Sequence, residues 1–356
     1  MIGQHDNVKL LYEANDFPIF QNRMCNSSKE AKAGPKGDIR LVENLETGLV
    51  YNEAFRPELM VYDDNYQNEQ AVSPLFQQHL NTISQVIQKY MGQVALVEVG
   101  CGKGFFLKML LDRGFDITGF DPTYEGHNPA IEKQYFESGL GIKAKGIILR
   151  HVLEHIQNPM NFLMSLRDAN GGGGLIYIEV PCFDWICKNK AWFDVFYEHV
   201  NYFRCSDFYR IFRNILESGK SFGGQYLYII ADLASLRMPI INHRDRVNFP
   251  SDFLANLKKE ERNRSEMSAI WGGASKGVIF ALLKARVGQS IEIIIDINPA
   301  KQGKYIAGTG LRVLSADDGL SKLPEGSMIY VMNSNYLKEI KEMSRHAYKY
   351  VSVEHE

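Results

Sequence analysis

The sequence of 356 residues predicts an α/β protein in three parts. These are a small N-terminal α+β module over residues 1–75, a central α/β unit over 76–240, and a linker helix followed by a smaller Rossmann-like α/β domain over 241–356. Three observations predict this. Apolar strands and amphipathic helices alternate from about residue 95 to 181, and a second alternation starts near residue 268. The first part of the chain is instead polar and turn-rich, with little periodicity. The length points the same way, because one hydrophobic core rarely organises a chain this long.

In the first part, "AGPKGDIRL" and "NLETGLVYN" read as turn signals ahead of short strands. A helix is expected over 73–91, "SPLFQQHLNTISQVIQKYM". Ser73 can cap it, Pro74 suits its first position, and apolar residues recur at three and four. "VALVEVG" then reads as a buried strand, "GFFLKMLLDRG" as a helix closed by Gly114, and "DITGFD" as the next strand. "GIILR" and "GLIYIEVP" are later strands with helical "MNFLMSLRDA" between them. Strand–helix–strand order with wholly apolar strands implies a parallel sheet covered on both faces. The charged, glycine-free run 251–267, "SDFLANLKKEERNRSEM", is expected to be the linker helix. After it come strand "SAIWG", glycine turn "GASKG", helix "VIFALLKAR", strand "IEIIIDI" and strand "EGSMIYVMN".

The composition excludes several classes. With 45% hydrophobic and 23% charged residues, the chain has the make-up of an ordinary globular protein. A net charge of −2 lacks the basic surplus that neutralising phosphates requires, so no nucleic-acid partner is expected. Cys25, Cys101, Cys182, Cys187 and Cys205 have no paired spacing, which suggests reduced thiols rather than a disulfide frame. No leader pattern and no membrane-length apolar run stand out, so a cytoplasmic protein with a small-molecule substrate and no membrane partner is expected.

The chemistry starts at "VEVGCGKGFF", where Gly100, Gly102 and Gly104 separate a strand from a helix. Glycines there let backbone pass close to a ligand. Position 105 is Phe, so the dinucleotide pattern GxGxxG is not met. Glu98, just ahead of the turn, would repel a pyrophosphate but could accept a hydrogen bond from an ammonium group. Asp121, ending the next strand, is placed to take ribose hydroxyls. This acid–GxGxG turn resembles the first motif of class I S-adenosylmethionine-dependent methyltransferases. The resemblance implies a class I methyltransferase (Rossmann-like) central domain with S-adenosylmethionine as cofactor. It puts Glu98 near the methionine end, and Gly100, Gly102, Gly104, Asp121 and Pro122 around the cofactor. It also implies Tyr135 and Phe136 of "KQYFESG" as an adenine wall and Arg150 and His151 beside the cofactor.

"HVLEH" (151–155) matches H-x-x-E-H, in which two histidines bind zinc. It directly follows "GIILR", where a methyltransferase opens its fourth strand toward the cofactor. It is therefore read as part of the cofactor site, and no metal is expected. Further on, "PCFDWICKNKAWFDVFYEHVNYF" resembles a narrower group, the C-methyltransferases of nucleotide-linked 4-keto-6-deoxyhexoses. So do "GDIRLVENLETGLVYNEAFRPELMVYDDNYQNEQ" before it and "WGGASKG…IIDINPAKQGKYIAGTGLRVL" after it. The resemblance implies His199 as the base that removes a proton beside the ketone, Glu198 orienting or polarising it, and His155 facing the substrate. Histidine suits the task because its ordinary pKa lies near working pH. Substrate contacts are implied for Tyr66, Tyr197, Tyr202, Gly224 and Gln225.

Two departures from the group stand out. Asn44 and Thr47 occupy positions where the N-terminal module of relatives has zinc-binding cysteines, leaving only Cys25 nearby. Phe196 stands where the group has a catalytic tyrosine, so oxygen or nitrogen could replace carbon as the acceptor. A different class is carried by Gly272, Ala274 and Gly277, a GxAxxG turn with Asp296 ending the following strand. That is close to a dinucleotide half-site, and would suit an NAD(P)-binding oxidoreductase or a non-catalytic nucleotide-binding protein. In a non-enzymatic alternative, Glu198 and His199 satisfy each other inside an aromatic core.

Overall fold

In the computed structural model, which describes residues 7–60, 73–93, 95–258 and 266–354, the sequence patterns resolve into three sheets. The chain starts with β1 (Val8–Pro18), α1 (Ser28–Ala33), β2 (Lys36–Asn44) and β3 (Val50–Asn52). Then come α2 (Pro74–Met91), β4 (Leu96–Val99), α3 (Phe105–Leu111), β5 (Ile117–Phe120), β6 (Ile131–Glu132) and β7 (Gly146–Arg150). They are followed by α4 (Pro159–Ala169), β8 (Leu175–Pro181), α5 (Phe183–Lys188), β9 (Asn201–Tyr202), α6 (Cys205–Ile211), β10 (Ile215–Ser221) and β11 (Tyr226–Asp232). The last part holds β12 (Ser268–Trp271), α7 (Ser275–Arg286), β13 (Ile293–Ile295), β14 (Val313–Leu314), α8 (Ala316–Lys322), β15 (Met328–Val331), α9 (Leu337–Met343) and β16 (Lys349–Ser352).

The central sheet has the order β10-β11-β8-β7-β4-β5-β6. Strands β4 to β8 run parallel, and β11 and β10 close one edge as an antiparallel pair. Its strands are apolar on both sides because both sides are covered. Val97, Val99, Ile147, Leu149 and Ile178 pack into one core, while Leu96, Ile148, Tyr177 and Ile230 pack into another. Helix α2 covers the second face with Phe76, Leu80, Ile83, Ile87 and Met91, its Ser73 hydroxyl accepting from Phe76 N. The chain leaves β4 outward to β5 and β6, then crosses back to β7 on the other side of β4. Ligands bind at such a reversal of strand order, beyond the carboxyl ends of the strands.

The third sheet is wholly parallel, in the order β14-β13-β12-β15-β16, and reverses in the same way between β12 and β15. The first sheet, β1-β2-β3-β9, is antiparallel and takes its fourth strand from far along the chain, pairing Val50 with Tyr202 and Tyr51 with Asn201. The segment "WFDVFYEHVNYF" therefore fastens the N-terminal module to the central unit.

The expected linker helix is not formed over 251–258, which makes turns and one 3-10 turn, Ala255–Leu257. Tertiary anchoring overrides helix propensity there. Phe253 and Leu257 are buried, and Phe253 packs its ring against Tyr12 and Phe249. No helix among the described residues is long and apolar enough to cross a membrane.

Candidate active site

A cavity of about 370 Å³ opens at the carboxyl ends of β4 and β7, and the loops after β12 and β15 form its opposite wall. The turn after β4 enters it with Gly102 at φ 55 and open space where a Cβ would stand. A side chain there would be strained, and would fill space that a ligand can use. Gly100 and Gly104 share the left-handed conformation, which the turn needs to swing from strand to helix. Asp121, at the end of β5, accepts from Gly102 N at 2.8 Å and from Thr123 N and Oγ1 at 2.9 and 2.7 Å. It braces the turn from behind, with Pro122 next to it. Neither residue forms part of the cavity wall.

Glu98 does line the cavity. It is 3% exposed, and its Oε2 has no hydrogen-bond partner among the described residues. Burial pushes its carboxyl up to about 7 against the pull of Arg150, and Asp121 adds to the rise. A buried carboxyl oxygen without a partner suits a cationic amine, the group that the methionine end of S-adenosylmethionine carries. Arg150 lines the same wall, held by Glu179 at 3.0 Å and stacked on the Phe106 ring. His151 stands 3.2 Å from Glu179 and 3.4 Å from Glu154, at a φ of 52. Burial disfavours its charge, but these two carboxylates outweigh burial and raise it to about 9, so His151 is an imidazolium at neutral pH.

Tyr135 and Phe136 do not form the expected adenine wall. Tyr135 is 67% exposed, whereas Phe136 is buried against Phe120 with ring centroids 5.2 Å apart. Both lie in the irregular segment after β6, where the core takes only the Phe136 ring.

Across the cavity, His155 Nδ1 lies 2.8 Å from the carbonyl oxygen of Glu198. Donation there leaves Nε2 with its lone pair. The His155 and His199 rings meet edge to face at 4.9 Å, and Phe196 lies 4.0 Å from His199 on another side. All three residues line the cavity. Burial, followed by the nearby His155, His151 and Lys276, holds His199 well below the usual imidazole range, which keeps it neutral.

Glu198 has a task different from the expected one. Its Oε1 accepts from Gln21 N at 2.5 Å and Asn22 N at 3.2 Å, both in the N-terminal module. It ties the module to the central unit, and it is its backbone carbonyl that reaches the site, through His155. The picture of Glu198 and His199 satisfying each other is therefore also not realised.

The expected substrate contacts fare unevenly. Tyr66 lies outside the described residues. Tyr197 packs into the N-terminal module, where its hydroxyl accepts from Arg56 N at 2.9 Å and its ring fills the space beside Gly37. The Tyr202 hydroxyl bonds the Phe196 backbone, accepting from N at 3.1 Å and donating to O at 3.2 Å, beneath the site rather than in it. Gly224 rests on Trp185. Gln225 is buried in an interdomain network with Lys276, Asn333 and Glu354. None of these four lines the cavity: the side chains of Tyr197, Tyr202 and Gln225 face neighbouring parts of the chain, and the Gly224 backbone lies against Trp185.

Residues that the sequence reading passed over line it as well, including Asn22, Asp194, Tyr226, Trp271, Lys276 and Lys301. Lys276 was open to notice, since it sits inside the second glycine turn, "GASKG". That turn needs Gly277, where a Cβ would overlap the Gly272 carbonyl oxygen. Asp296 accepts from Gly273 N and Asn298 N at 2.8 Å each and lies 3.6 Å from Lys301. A dinucleotide half-site would use that carboxylate for a ribose; here it lines the cavity while bracing both the glycine turn after β12 and its own loop. In the N-terminal module, Asn44 Oδ1 accepts from Glu46 N and Thr47 N, so Asn44 closes a side-chain turn at the end of β2.

Residues 66–215 match the family model of a methyltransferase domain, and residues 239–351 match that of a C-methyltransferase C-terminal domain. The protein is an S-adenosylmethionine-dependent methyltransferase. No curated protein matches this sequence. Among solved structures, the methyltransferase domain of bacterial CtHen1 is similar at 16% identity, covering 44% of this chain and 98% of that one, with a TM-score of 0.34. Magnesium protoporphyrin IX methyltransferase from Synechocystis PCC 6803, with bound SAH, is 16% identical over 44% of this chain and 82% of its own, TM-score 0.33. The N-methyltransferase NodS from Bradyrhizobium japonicum WM9 is 12% identical over 45% of this chain and 97% of its own, TM-score 0.33. At that degree of overlap, none of the three bears on the acceptor of this methyltransferase.

Proposed function

We propose that this methyltransferase adds a methyl group to carbon beside the ketone of a nucleotide-linked sugar, with His199 as the base. One observation carries the reading. A buried, neutral imidazole, with no hydrogen bond to its ring nitrogens among the described residues, shares a cavity with Glu98 and the glycine turn. The match of residues 239–351 to a C-methyltransferase C-terminal domain supports carbon as the acceptor. So does the resemblance of the flanking sequence to the nucleotide-sugar C-methyltransferases.

The bound cofactor supplies an electrophilic methyl group on a sulfonium. The chain's residues supply the rest. Glu98 takes the amine, and the turn at 100–104 accepts the body of the cofactor, braced by Asp121. His199 takes the proton from the carbon beside the ketone, leaving an enolate. This carbon takes up the methyl group that the cofactor, held by Glu98 and the turn at 100–104, would supply, and the proton on His199 leaves to water. His155 lines the same cavity and is held in place by its bond to the Glu198 carbonyl. Buried walls of Phe196, Tyr226 and Trp271 keep water from competing for the methyl group.

Phe196 favours a second reading. It brings no hydroxyl to the sugar, which suits a hydroxyl or amine acceptor that His199 would deprotonate directly. Labelled methyl donor, a panel of nucleotide sugars and mass spectrometry to locate the label separate the two. His199→Ala should lower turnover by about 100-fold or more while leaving SAH affinity nearly intact. Undiminished turnover in that variant would remove His199 from the chemistry.

A further inference from the structure

The reaction above uses His199 only as a base, and gives Glu154 no part at all. Yet Glu154 is the most conspicuous buried acid in the wall. It is 1% exposed, and neither carboxylate oxygen has a hydrogen bond among the described residues. Its Oε1 stands 3.4 Å from His151, and Oε2 is left without a partner. A buried carboxylate oxygen in that position calls for a ligand.

Two imidazoles stand beside it. One ligand atom each from Glu154, His155 and His199 lies within 4.8 Å of the others. Tetrahedral zinc, with bonds of roughly 2.1 Å, sets its ligands roughly 3.4 Å apart, a difference that small ring rotations can close. His155 is already arranged as a metal ligand. Its Nδ1 donates to a backbone carbonyl, the outer partner that metal-bound histidines usually have, and Nε2 keeps its lone pair. These are not the two histidines of "HVLEH". His151 is turned to Glu179, and the segment Leu153–His155 is a 3-10 turn, so residues 151 and 155 do not stack as they would on an α-helix. The second histidine comes instead from far along the chain.

We propose that Glu154, His155 and His199 bind one divalent first-row transition ion, with zinc the best match to two imidazoles and a carboxylate. The fourth position faces the cavity, as in zinc sites with three protein ligands. Occupancy takes the lone pair of His199, so the ion blocks methyl transfer reversibly. Only this last consequence rests on the reading of His199 as base.

Cobalt(II) serves as a visible probe. Titrating the metal-free full-length protein should give one bound Co²⁺ per chain, with the intense visible absorption of a tetrahedral site, and one equivalent of Zn²⁺ should abolish it. His155→Ala and Glu154→Gln should each weaken Co²⁺ binding by more than about 100-fold, beyond what loss of an outer partner costs. One equivalent of Zn²⁺ should also raise the melting temperature of the wild-type protein, a readout that needs no variant to fold. Absence of stoichiometric uptake by the wild type, or uptake that both variants retain, overturns the site. Uptake lost in the variants but without inhibition of methyl transfer upholds the site and overturns the role of His199 as base.

Discussion

Glu98 offers a test in which binding and stability move in opposite directions. In the ligand-free protein burial raises its carboxyl to about 7. An ammonium group binds the ionised form, so S-adenosylhomocysteine should bind with constant affinity above about pH 7 and progressively more weakly below it. With that pKa, the ionised fraction falls about tenfold between about pH 8 and about pH 6, and affinity should fall with it. Calorimetry in buffers of different ionisation enthalpy should find close to one proton released on binding at the acid end. The stability argument has the other sign. A carboxyl raised in the folded state costs nothing below its unfolded value, near 4.5, and its penalty grows as pH rises through that value to about 7. A rise of that size amounts to about 3 kcal/mol at alkaline pH. Glu98→Gln should therefore bind S-adenosylhomocysteine more weakly and without this pH dependence, yet melt at a higher temperature than wild type near pH 8. Near pH 5 the difference in melting should shrink. An affinity in the wild type that stays flat from pH 6 to 8 would refute the assignment of Glu98 to the amine.

Three further outcomes follow from the packing. Glu198→Ala removes the acceptor of two backbone N–H groups and should destabilise the protein by about 2–4 kcal/mol, read by denaturant unfolding. Limited proteolysis should then cut within the N-terminal module first; a silent substitution would mean that Glu198 does not hold the module. Gly102→Ala adds a methyl group in open space but at a left-handed φ, so stability should drop by only about 1 kcal/mol. Its S-adenosylhomocysteine affinity, measured calorimetrically, should fall by about tenfold or more, and an unchanged value would place the cofactor elsewhere. Gly277→Ala drives a Cβ into the Gly272 carbonyl and should cost about 3 kcal/mol in unfolding experiments, because backbone cannot step aside as a side chain can. A small effect would show that α7 is free to shift away from β12.

What the sequence alone determined was whatever depends on short-range pattern. The strands around "VALVEV" and "GIILR", the capped helix at 74–91, and both glycine turns follow from apolar periodicity, from Ser73 and Pro74 as a helix start, and from backbone conformations that exclude a Cβ. Glu98 belongs here too, since its strand position puts it at the turn. Direction was the harder matter. Tyr135 and Phe136 are adjacent aromatics, and nothing local says that one goes to solvent and the other to the core. Glu198 is adjacent to His199 in the chain, yet its carboxylate is drawn to the free N–H groups of Gln21 and Asn22, because a buried charge settles where donors converge. Tyr197 and Gln225 were likewise claimed by other parts of the chain. Only the tertiary structure decided which groups meet. It placed the turn at 100–104 opposite the turn at 272–277, and brought Glu154, His155 and His199 within reach of one another. Periodicity reports which face of an element is buried, but what lies across from that face depends on how whole sheets pack.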